Sequence, residues 1–320
     1  MKYPVVITLF ALLTAAACST PRPTASTLLT PEEKTALMKR AKPVQTFGLT
    51  AYNSDRGPIF AGAFRQHQNH VGRVEFASEK NTTAPIIPIQ DGKALLLIDS
   101  SAAESWLRPE TATALNVTVL TGPAPLEKTP GHVYDPVGGF AGVLPRFSIE
   151  KLFVENGVFY IRNARGPLDG LTRWEKSPLD GVLGADFLRS FEFVRISLRG
   201  RHIVFSGGNV YPYAANAIAT LPLIDVQGGL GVEAMVDGER MPVLIDLAGD
   251  FEFALEKPAT PKLRQLTLGD IVFRQVEVDS AFELGLGMTS PPRIGRQLLE
   301  RYDLVISQKG SQLLFERPTR

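Results

Sequence analysis

The sequence predicts an all-β protein built from two related halves, and three observations support this. From Thr46 onward, short apolar runs alternate with Gly, Pro and Asn-Asp turn signals, a pattern typical of strands joined by tight turns. The chain holds 28 Gly and 24 Pro in 320 residues, above the share of about 12% that globular proteins usually have. Two sequence landmarks also occur twice in the same order. This length suits one large domain or two lobes.

Composition and charge exclude several classes of protein. The 34 Lys and Arg nearly balance the 33 Asp and Glu, leaving a net charge of +1. That balance provides neither the field that attracts nucleic acid nor a polybasic patch for a membrane surface. An apolar fraction of 44% is ample for a buried core, which excludes wholesale disorder. The single cysteine excludes an intrachain disulfide.

The N-terminal residues 1–17 are predicted to be a signal peptide. Lys2 precedes a mainly apolar stretch of thirteen residues, Val5 to Ala17, shorter than the roughly 20 residues that a bilayer-spanning helix needs. The segment ends before Cys18 in a way that resembles a bacterial lipobox, although Ala15 stands where Leu is usual. The resemblance implies lipidation of Cys18, and Ser19 resembles the outer-membrane sorting class. The alternative is an ordinary secretory signal with an incidental cysteine.

Residues 18–45 are predicted to carry the lipidated Cys18, a polar tether and a short helix. The Pro-containing stretch 19–29 is typical of a linker. Thr30 is the expected N-cap, Pro31 the first helical residue, and Glu33 the partner that completes a capping box. We expect this helix to reach about Arg40 and the body of the protein to face the periplasm.

The first repeated landmark is a hairpin whose second strand ends at an aspartate. A turn signal at Asp91-Gly92 precedes an apolar run that ends at Asp99-Ser100-Ser101-Ala102. The same arrangement recurs where Asp237-Gly238 precedes a run ending at Asp246-Leu247-Ala248-Gly249. Asp-Gly suits a tight hairpin turn because both residues tolerate positive φ. The two runs therefore predict corresponding strands that each lead into an aspartate.

The second landmark is a hydrophobic-Gly segment followed by a closing hairpin. Val182-Leu183-Gly184 precedes two strand-like runs joined at Arg199-Gly200-Arg201. Likewise, Arg293-Ile294-Gly295 precedes two runs joined at Lys309-Gly310-Ser311. Two matched landmarks in matched order indicate that one half of the chain repeats the other.

This combination resembles the retropepsin-like and pepsin-like aspartic peptidases, here as a duplicated single chain. In that family an apolar strand runs into Asp-Thr/Ser-Gly-Ala, and a later hydrophobic-hydrophobic-Gly strand passes beside the Asp loop. The resemblance covers about residues 60–316. It implies a two-lobed fold with a pseudo-twofold internal repeat, in which Asp99 and Asp246 reach the same place.

The chemistry explains why two aspartates would be needed. Hydrolysing a peptide without a metal requires one carboxylate to deprotonate a water while another carboxyl protonates the carbonyl oxygen. Two carboxyls about 3 Å apart cannot both ionise comfortably, so they share one proton and titrate as a unit. By resemblance, Asp99 and Asp246 would form this dyad, with no cofactor and no metal.

Several residues depart from the family pattern. In the first half, Ser100 keeps the hydroxyl that in the family bonds to the opposite loop and braces the dyad, but Ser101 replaces the Gly. In the second half, Leu247 replaces the hydroxyl residue and Ala248 replaces the Gly. Arg293 stands where a hydrophobic residue is usual. The first motif is nearly intact and the second is degraded.

The two halves differ in the spacing from the aspartate to the glycine of the second landmark, which is 85 residues in the first half and 49 in the second. The excess lies within residues 120–176, where a Gly-rich stretch resembles the flap over the substrate cleft of the family. An alternative is a surface loop without a substrate role. The candidate flap and substrate-binding residues are Tyr134, Gly138, Gly139 and Phe140.

Other chemistries find no support in the sequence. His67 and His70 have a metal-like gap, but no Cys or third His accompanies them, so an exposed loop is expected and no metal. No nucleophile elbow, Walker loop or dinucleotide-binding glycine pattern occurs.

These inferences lead to a first lobe with a flap at 46–215 and a second, shorter lobe at 216–320. The leading hypothesis is a lipid-anchored, periplasm-facing aspartic endopeptidase that acts on peptide or protein substrates. The second is a catalytically inactive pseudo-peptidase, kept as a peptide-binding or envelope-assembly module. A third is a β-rich structural lipoprotein unrelated to peptidases.

Overall fold

The computed structural model describes residues 29–54, 57–66, 71–78, 83–121, 140–162, 179–212, 214–281, 283–284, 286 and 290–318. The predicted signal peptide 1–17, Cys18 and nearly all of the tether lie outside these residues. Within the described ranges, no helix has both the length and the apolar composition needed to cross a membrane.

The described chain consists mainly of strands, which confirms the all-β prediction. Those that precede residue 215 are β1 (Lys42–Pro43), β2 (Thr50–Ser54), β3 (Gly57–Ala61), β4 (Arg65–Gln66), β5 (Val71–Glu75), β6 (Ile86–Ile89), β7 (Ala94–Ile98), β8 (Trp106–Leu107), β9 (Thr118–Thr121), β10 (Phe140–Ile149), β11 (Leu152–Ile161), β12 (Gly181–Leu183), β13 (Phe193–Ser197) and β14 (His202–Ser206). Those that follow are β15 (Ala219–Pro222), β16 (Ile224–Val226), β17 (Gly229–Val236), β18 (Glu239–Ile245), β19 (Phe253–Leu255), β20 (Lys262–Leu268), β21 (Ile271–Ser280), β22 (Arg293–Ile294), β23 (Asp303–Ser307) and β24 (Gln312–Glu316).

Helices in the described ranges are short. They are α1 (Pro31–Met38), α2 (Pro109–Ala114), α3 (Ala185–Leu188) and α4 (Arg296–Leu299), with 3₁₀ turns at Val44–Phe47 and Ala214–Asn216. Helix α1 begins as predicted: the Thr30 hydroxyl accepts from the Glu33 amide at 3.2 Å, and the Glu33 carboxylate accepts from the Thr30 amide at 2.7 Å. These reciprocal bonds form a capping box, which satisfies two backbone donors of the first turn.

Two sheets pair their strands in the same order and in the same directions. In the first, β7 lies between antiparallel β6 and parallel β12, β12 is antiparallel to β8, and β8 is parallel to β11. In the second, β18 lies between antiparallel β17 and parallel β22, β22 is antiparallel to β19, and β19 is parallel to β21. Strand β11 then forms a hairpin with β10, as β21 does with β20.

The Asp-Gly turns have the backbone geometry that the sequence predicts. Asp237 and Gly238 form a two-residue connection between β17 and β18, with φ of 48° and 97°. Asp91 and Gly92, with φ of 57° and 82°, lie within the longer connection between β6 and β7. Positive φ at both positions is the conformation of the tightest hairpin turns. Each turn leads into a strand, β7 or β18, that ends directly before an aspartate.

A six-stranded sheet joins segments that are far apart in sequence, in the order β15-β24-β23-β13-β14-β5. At its centre β13 is antiparallel to β23, and the hairpins β13–β14 and β23–β24 lie side by side. Arg195 on β13 makes ion pairs with Asp303 at 2.6 Å and with Glu316 at 3.2 Å. Apolar side chains from both predicted lobes also belong to one continuous buried cluster.

Candidate active site

Asp99 lies in the loop directly after β7. Its amide donates to the Leu183 carbonyl oxygen of β12 at 3.0 Å. Its Oδ1 atom accepts from the Ser101 amide at 2.9 Å, the Ser101 hydroxyl at 2.7 Å and the Ala102 amide at 3.3 Å. These donors hold the carboxyl in one orientation, and the side chain is partly exposed.

Asp246 occupies the corresponding place after β18. Its amide donates to the Ile294 carbonyl oxygen of β22 at 2.9 Å. Its Oδ1 atom accepts from the Ala248 amide at 3.1 Å and from the Gly249 amide at 2.7 Å. The residue is only 2% exposed, so these bonds replace the water that a carboxylate would otherwise bind.

Each aspartate loop packs against the glycine of a hydrophobic-Gly segment. A Cβ added to Gly184 would approach the carbonyl carbon of Glu104 at 2.7 Å, and one added to Gly295 would overlap the carbonyl oxygen of Phe251. No real Cβ has such contacts with backbone atoms. Glycine is therefore required where the two backbones meet, as the second landmark implies.

Ser100 connects the two aspartate loops. Its hydroxyl donates to the Ile245 carbonyl oxygen and accepts from the Leu247 amide at 3.3 Å. Both partners flank Asp246, and Ser100 is fully buried. The hydroxyl of the first loop therefore fixes the backbone of the second loop on both sides of its aspartate.

The connection is one-sided because the second loop has no equivalent hydroxyl. Leu247 is fully buried and belongs to the apolar core. The first loop is supported instead by backbone contacts, since the Ser100 carbonyl oxygen accepts from the Leu230 amide at 2.8 Å. The Leu247 side chain therefore packs in the apolar core and cannot make the hydrogen bond between the loops that a hydroxyl at this position would make.

Arg293 enters the site from β22. Its Nη1 atom donates to Oδ2 of Asp246 at 3.2 Å and to the Ser101 hydroxyl at 2.9 Å, and its Nε donates to the Ser290 hydroxyl at 2.8 Å. Because Ser101 donates in turn to Asp99, the guanidinium and this hydroxyl link the two carboxyl groups. The equivalent position of the first sheet is Val182, a buried apolar residue.

The two carboxyl groups differ in electrostatic environment. Burial and the negative charge of Asp246 raise the pKa of Asp99 to about 6, although hydrogen bonds from Ser101 and the charge of Arg293 oppose this rise. Asp246 is instead ion-paired with Arg293 at 3.2 Å. The arrangement thus combines one carboxyl that titrates in the mildly acid range with one carboxylate held by a cation.

The predicted flap lies mostly outside the described residues, and so do Tyr134, Gly138 and Gly139. Phe140 is the first residue of β10, is 3% exposed and belongs to the apolar core. It is a packing residue in this structure, and its predicted contact with substrate stays a prediction. Among the described residues, no group of three or more His, Cys, Asp or Glu side chains could hold a metal ion.

Sequence reasoning identified Ser101 and Arg293 as departures from a pattern, but it did not predict that they contact each other. The two residues are 192 positions apart. A signal was nevertheless present, because each residue departs from the pattern at a position expected to lie beside an aspartate loop.

Comparison with known proteins finds matches among solved structures only: no protein-family model and no curated protein matches the chain. The crystal structure of basic 7S globulin from soybean matches with a TM-score of 0.45 and 12% identity, over 78% of this chain and 94% of that one. The crystal structure of conglutin gamma, a unique basic 7S globulin from lupine seeds, gives 0.42 and 12%, over 78% and 95%. Likenesses this low carry no argument about function.

Proposed function

We propose that this protein is an aspartic endopeptidase of two related lobes, with Asp99 and Asp246 as its catalytic pair. The matched strand pairings of the two sheets support an internal repeat, because each sheet delivers an aspartate from the same strand position. The hydroxyl of Ser100 supports a single site, because it bonds to the backbone on both sides of Asp246.

The proposed reaction needs one charged and one protonated carboxyl. Asp246 takes a proton from a water whose oxygen attacks the carbonyl carbon, while Asp99 gives its proton to the carbonyl oxygen. In the resulting gem-diol, one hydroxyl then returns a proton to Asp99. The C–N bond breaks as the proton on Asp246 moves to the leaving nitrogen. The products are an acid and an amine, and both carboxyls regain their starting states.

The observation that carries the proposal is the difference in environment between the two carboxyl groups. Asp246 is ion-paired with Arg293 at 3.2 Å, whereas the pKa of Asp99 is raised to about 6 by burial and by the charge of Asp246. Below pH 6 Asp99 is therefore protonated, while Asp246 is held against the guanidinium of Arg293. This is the state that the reaction requires, so we expect activity at acid to mildly acid pH.

The test is cleavage of a mixed peptide library between pH 4 and pH 7 by the purified mature protein. Asp99→Asn and Asp246→Asn should each lower the rate by at least about 100-fold, the scale of general acid–base catalysis. Asp270→Asn, at an exposed turn between β20 and β21, is the control and should match the wild type. Full activity in either of the first two variants would refute the assignment.

The second candidate, a pseudo-peptidase that binds peptides without cleaving them, is favoured by one observation. Both oxygens of Asp246 already accept hydrogen bonds from the protein, and one of these donors is a guanidinium. A carboxylate held in this way is a weaker base toward water. The same assay distinguishes the candidates: binding of library peptides with no cleavage product from any of them would support the pseudo-peptidase.

We also propose that the protein is lipid-anchored through Cys18 and faces the periplasm from the outer membrane. The support is the sequence alone: a signal peptide with a mainly apolar stretch of thirteen residues, and the lipobox-like residues before the cysteine. Cys18→Ser should release the protein from the membrane fraction into the soluble fraction and abolish labelling by a fatty acid. A variant that stays membrane-bound and labelled would refute the anchor.

A further inference from the structure

The acid pair of this protein is linked by an unusual chain of contacts. Nη1 of Arg293 donates to Asp246 and to the Ser101 hydroxyl, and that hydroxyl donates to Oδ1 of Asp99. A second serine, Ser290, accepts from Nε of the guanidinium. Three side chains from both halves of the chain therefore fix the guanidinium beside the carboxyl of Asp246, with one hydroxyl group between it and the carboxyl of Asp99.

We propose that Arg293 is a positioning residue that makes the acid pair asymmetric. Asp246 keeps the negative charge and acts as the base, and Asp99 carries the proton and acts as the acid. This inference rests on the proposed peptidase function for its catalytic meaning. The location of the proton, however, is a property of the folded protein that can be measured without substrate.

The hydrogen-bond geometry explains why the charge is unevenly shared. The guanidinium contacts Asp246 directly, and a charge-assisted bond of this kind is stronger than a neutral one. It reaches Asp99 only through the Ser101 hydroxyl. Among the described residues, no protein donor contacts Oδ2 of Asp99, so this oxygen is available to hold the proton and face a substrate.

Other charged groups on the elements that pack against the two loops have partners of their own. The described ones are Arg296 with Asp250, Glu104 with Arg162, Asp225 with Arg189, and Asp186, which accepts from Ser105. Arg293 contacts Asp246 directly, and Arg296 also interacts with Asp246 electrostatically. Replacing Arg293 should change the titration of the pair more than replacing any other arginine.

Ser101 and Arg293 also compensate for a missing contact. Leu247 has no hydroxyl with which to bond to the first loop, whereas Arg293, from the second half, donates to Ser101 of the first. A glycine at position 101 would leave Nη1 without this acceptor. Two departures from the family pattern therefore form one contact that links the two aspartate loops.

The experiment follows the side-chain carboxyl carbons of ¹³C-labelled aspartate by NMR from pH 3 to pH 8. The wild type should show two steps near pH 6, one from Asp99 and one from Asp186. The Asp99 step is the one that disappears in Asp99→Asn, and it should persist, at lower pH, in Asp246→Asn. Arg293→Met should move the step up by about one pH unit, because an opposing charge is lost. Arg293→Lys should keep it near its original position.

Two further variants complete the design. Ser101→Gly removes a hydrogen bond that lowers the pKa of Asp99, so it should also move the step to higher pH. This variant replaces Arg293→Met if the latter does not fold. Arg301→Met removes an exposed arginine paired with Glu252 and should leave the step unchanged. The inference is overturned if the step is lost in Asp246→Asn or if a folded Arg293→Met does not move it. If Arg293→Met does not fold, an unmoved step in Ser101→Gly overturns it.

The titration also separates this inference from the proposed function. If the protein cleaves peptides, the alkaline limb of the pH–rate profile should move with the NMR step, and kcat should fall in Arg293→Met with little change in KM. If no peptide is cleaved but the NMR steps behave as stated, the peptidase proposal fails and the asymmetric pair stands.

Discussion

At the scale of single residues, the site depends on a few side chains that reach between the two halves of the chain. Ser100 keeps a hydroxyl that bonds to backbone atoms around Asp246. Leu247, at the equivalent position, lies in the core and makes no such bond. Arg293 and Ser101 supply a second link between the two halves. The two loops are therefore joined by contacts that are not related by symmetry.

The contact of Ser100 predicts a cost in stability. Ser100→Ala leaves the Ile245 carbonyl oxygen and the Leu247 amide without this partner in a buried place, which should lower the free energy of unfolding by about 2 kcal/mol. Urea denaturation at pH 6 measures it. Ser311→Ala, at an exposed turn, is the control. Equal midpoints for the two variants would show that the buried hydroxyl contributes nothing.

At the scale of elements, the hydrophobic-Gly segments determine where the aspartate loops lie. Strand β12 receives the amide of Asp99, and β22 receives the amide of Asp246. Each strand ends at a glycine that touches loop backbone, followed by a short helix, α3 or α4. Since both glycines have negative φ, the requirement is steric and does not come from backbone conformation.

This steric requirement predicts unequal effects of alanine at different glycines. Gly184→Ala and Gly295→Ala force a Cβ against backbone atoms, and each should lower the free energy of unfolding by more than about 3 kcal/mol. A Cβ at position 238 would lie in open space, so Gly238→Ala adds only the backbone strain of a φ of 97°. This strain should lower the free energy of unfolding by about 1 kcal/mol. Thermal denaturation of the three variants gives the comparison, and the reverse order would contradict this packing.

At the scale of the whole molecule, partly buried acid groups make stability depend on pH. The pKa of Asp99 and that of Asp186 are both raised from 3.8 to about 6, chiefly by burial. Between pH 4 and pH 6 the folded state therefore keeps the protons of these two carboxyl groups, which the unfolded state has released. The stabilisation is complete below the unfolded pKa, near pH 4, and is lost as pH rises through 6.

We therefore expect the protein to be more stable at pH 4 than at pH 7, by about 2–4 kcal/mol for these two groups together. Urea denaturation across this range measures the difference. In the double variant Asp99→Asn and Asp186→Asn, neither group titrates, so the dependence on pH should be much weaker. An unchanged slope in that variant would assign the effect to other groups.

The sequence by itself determined the local features of this protein. The capping box of α1, the positive φ of the Asp-Gly turns and the division of the chain into short strands depend on neighbouring residues, and each was predicted. The apolar runs that end at Asp99 and Asp246 also follow from local pattern, which is why both aspartates could be identified as candidates.

Only the tertiary structure decided what surrounds those aspartates. Ser101 and Arg293 are 192 residues apart, and nothing local in either segment indicates that a hydroxyl and a guanidinium meet. The ionisation of Asp99 likewise depends on burial and on a charge supplied by the other half of the chain. Electrostatic interactions act through space, so they depend on distances that appear only once the sheets have packed together.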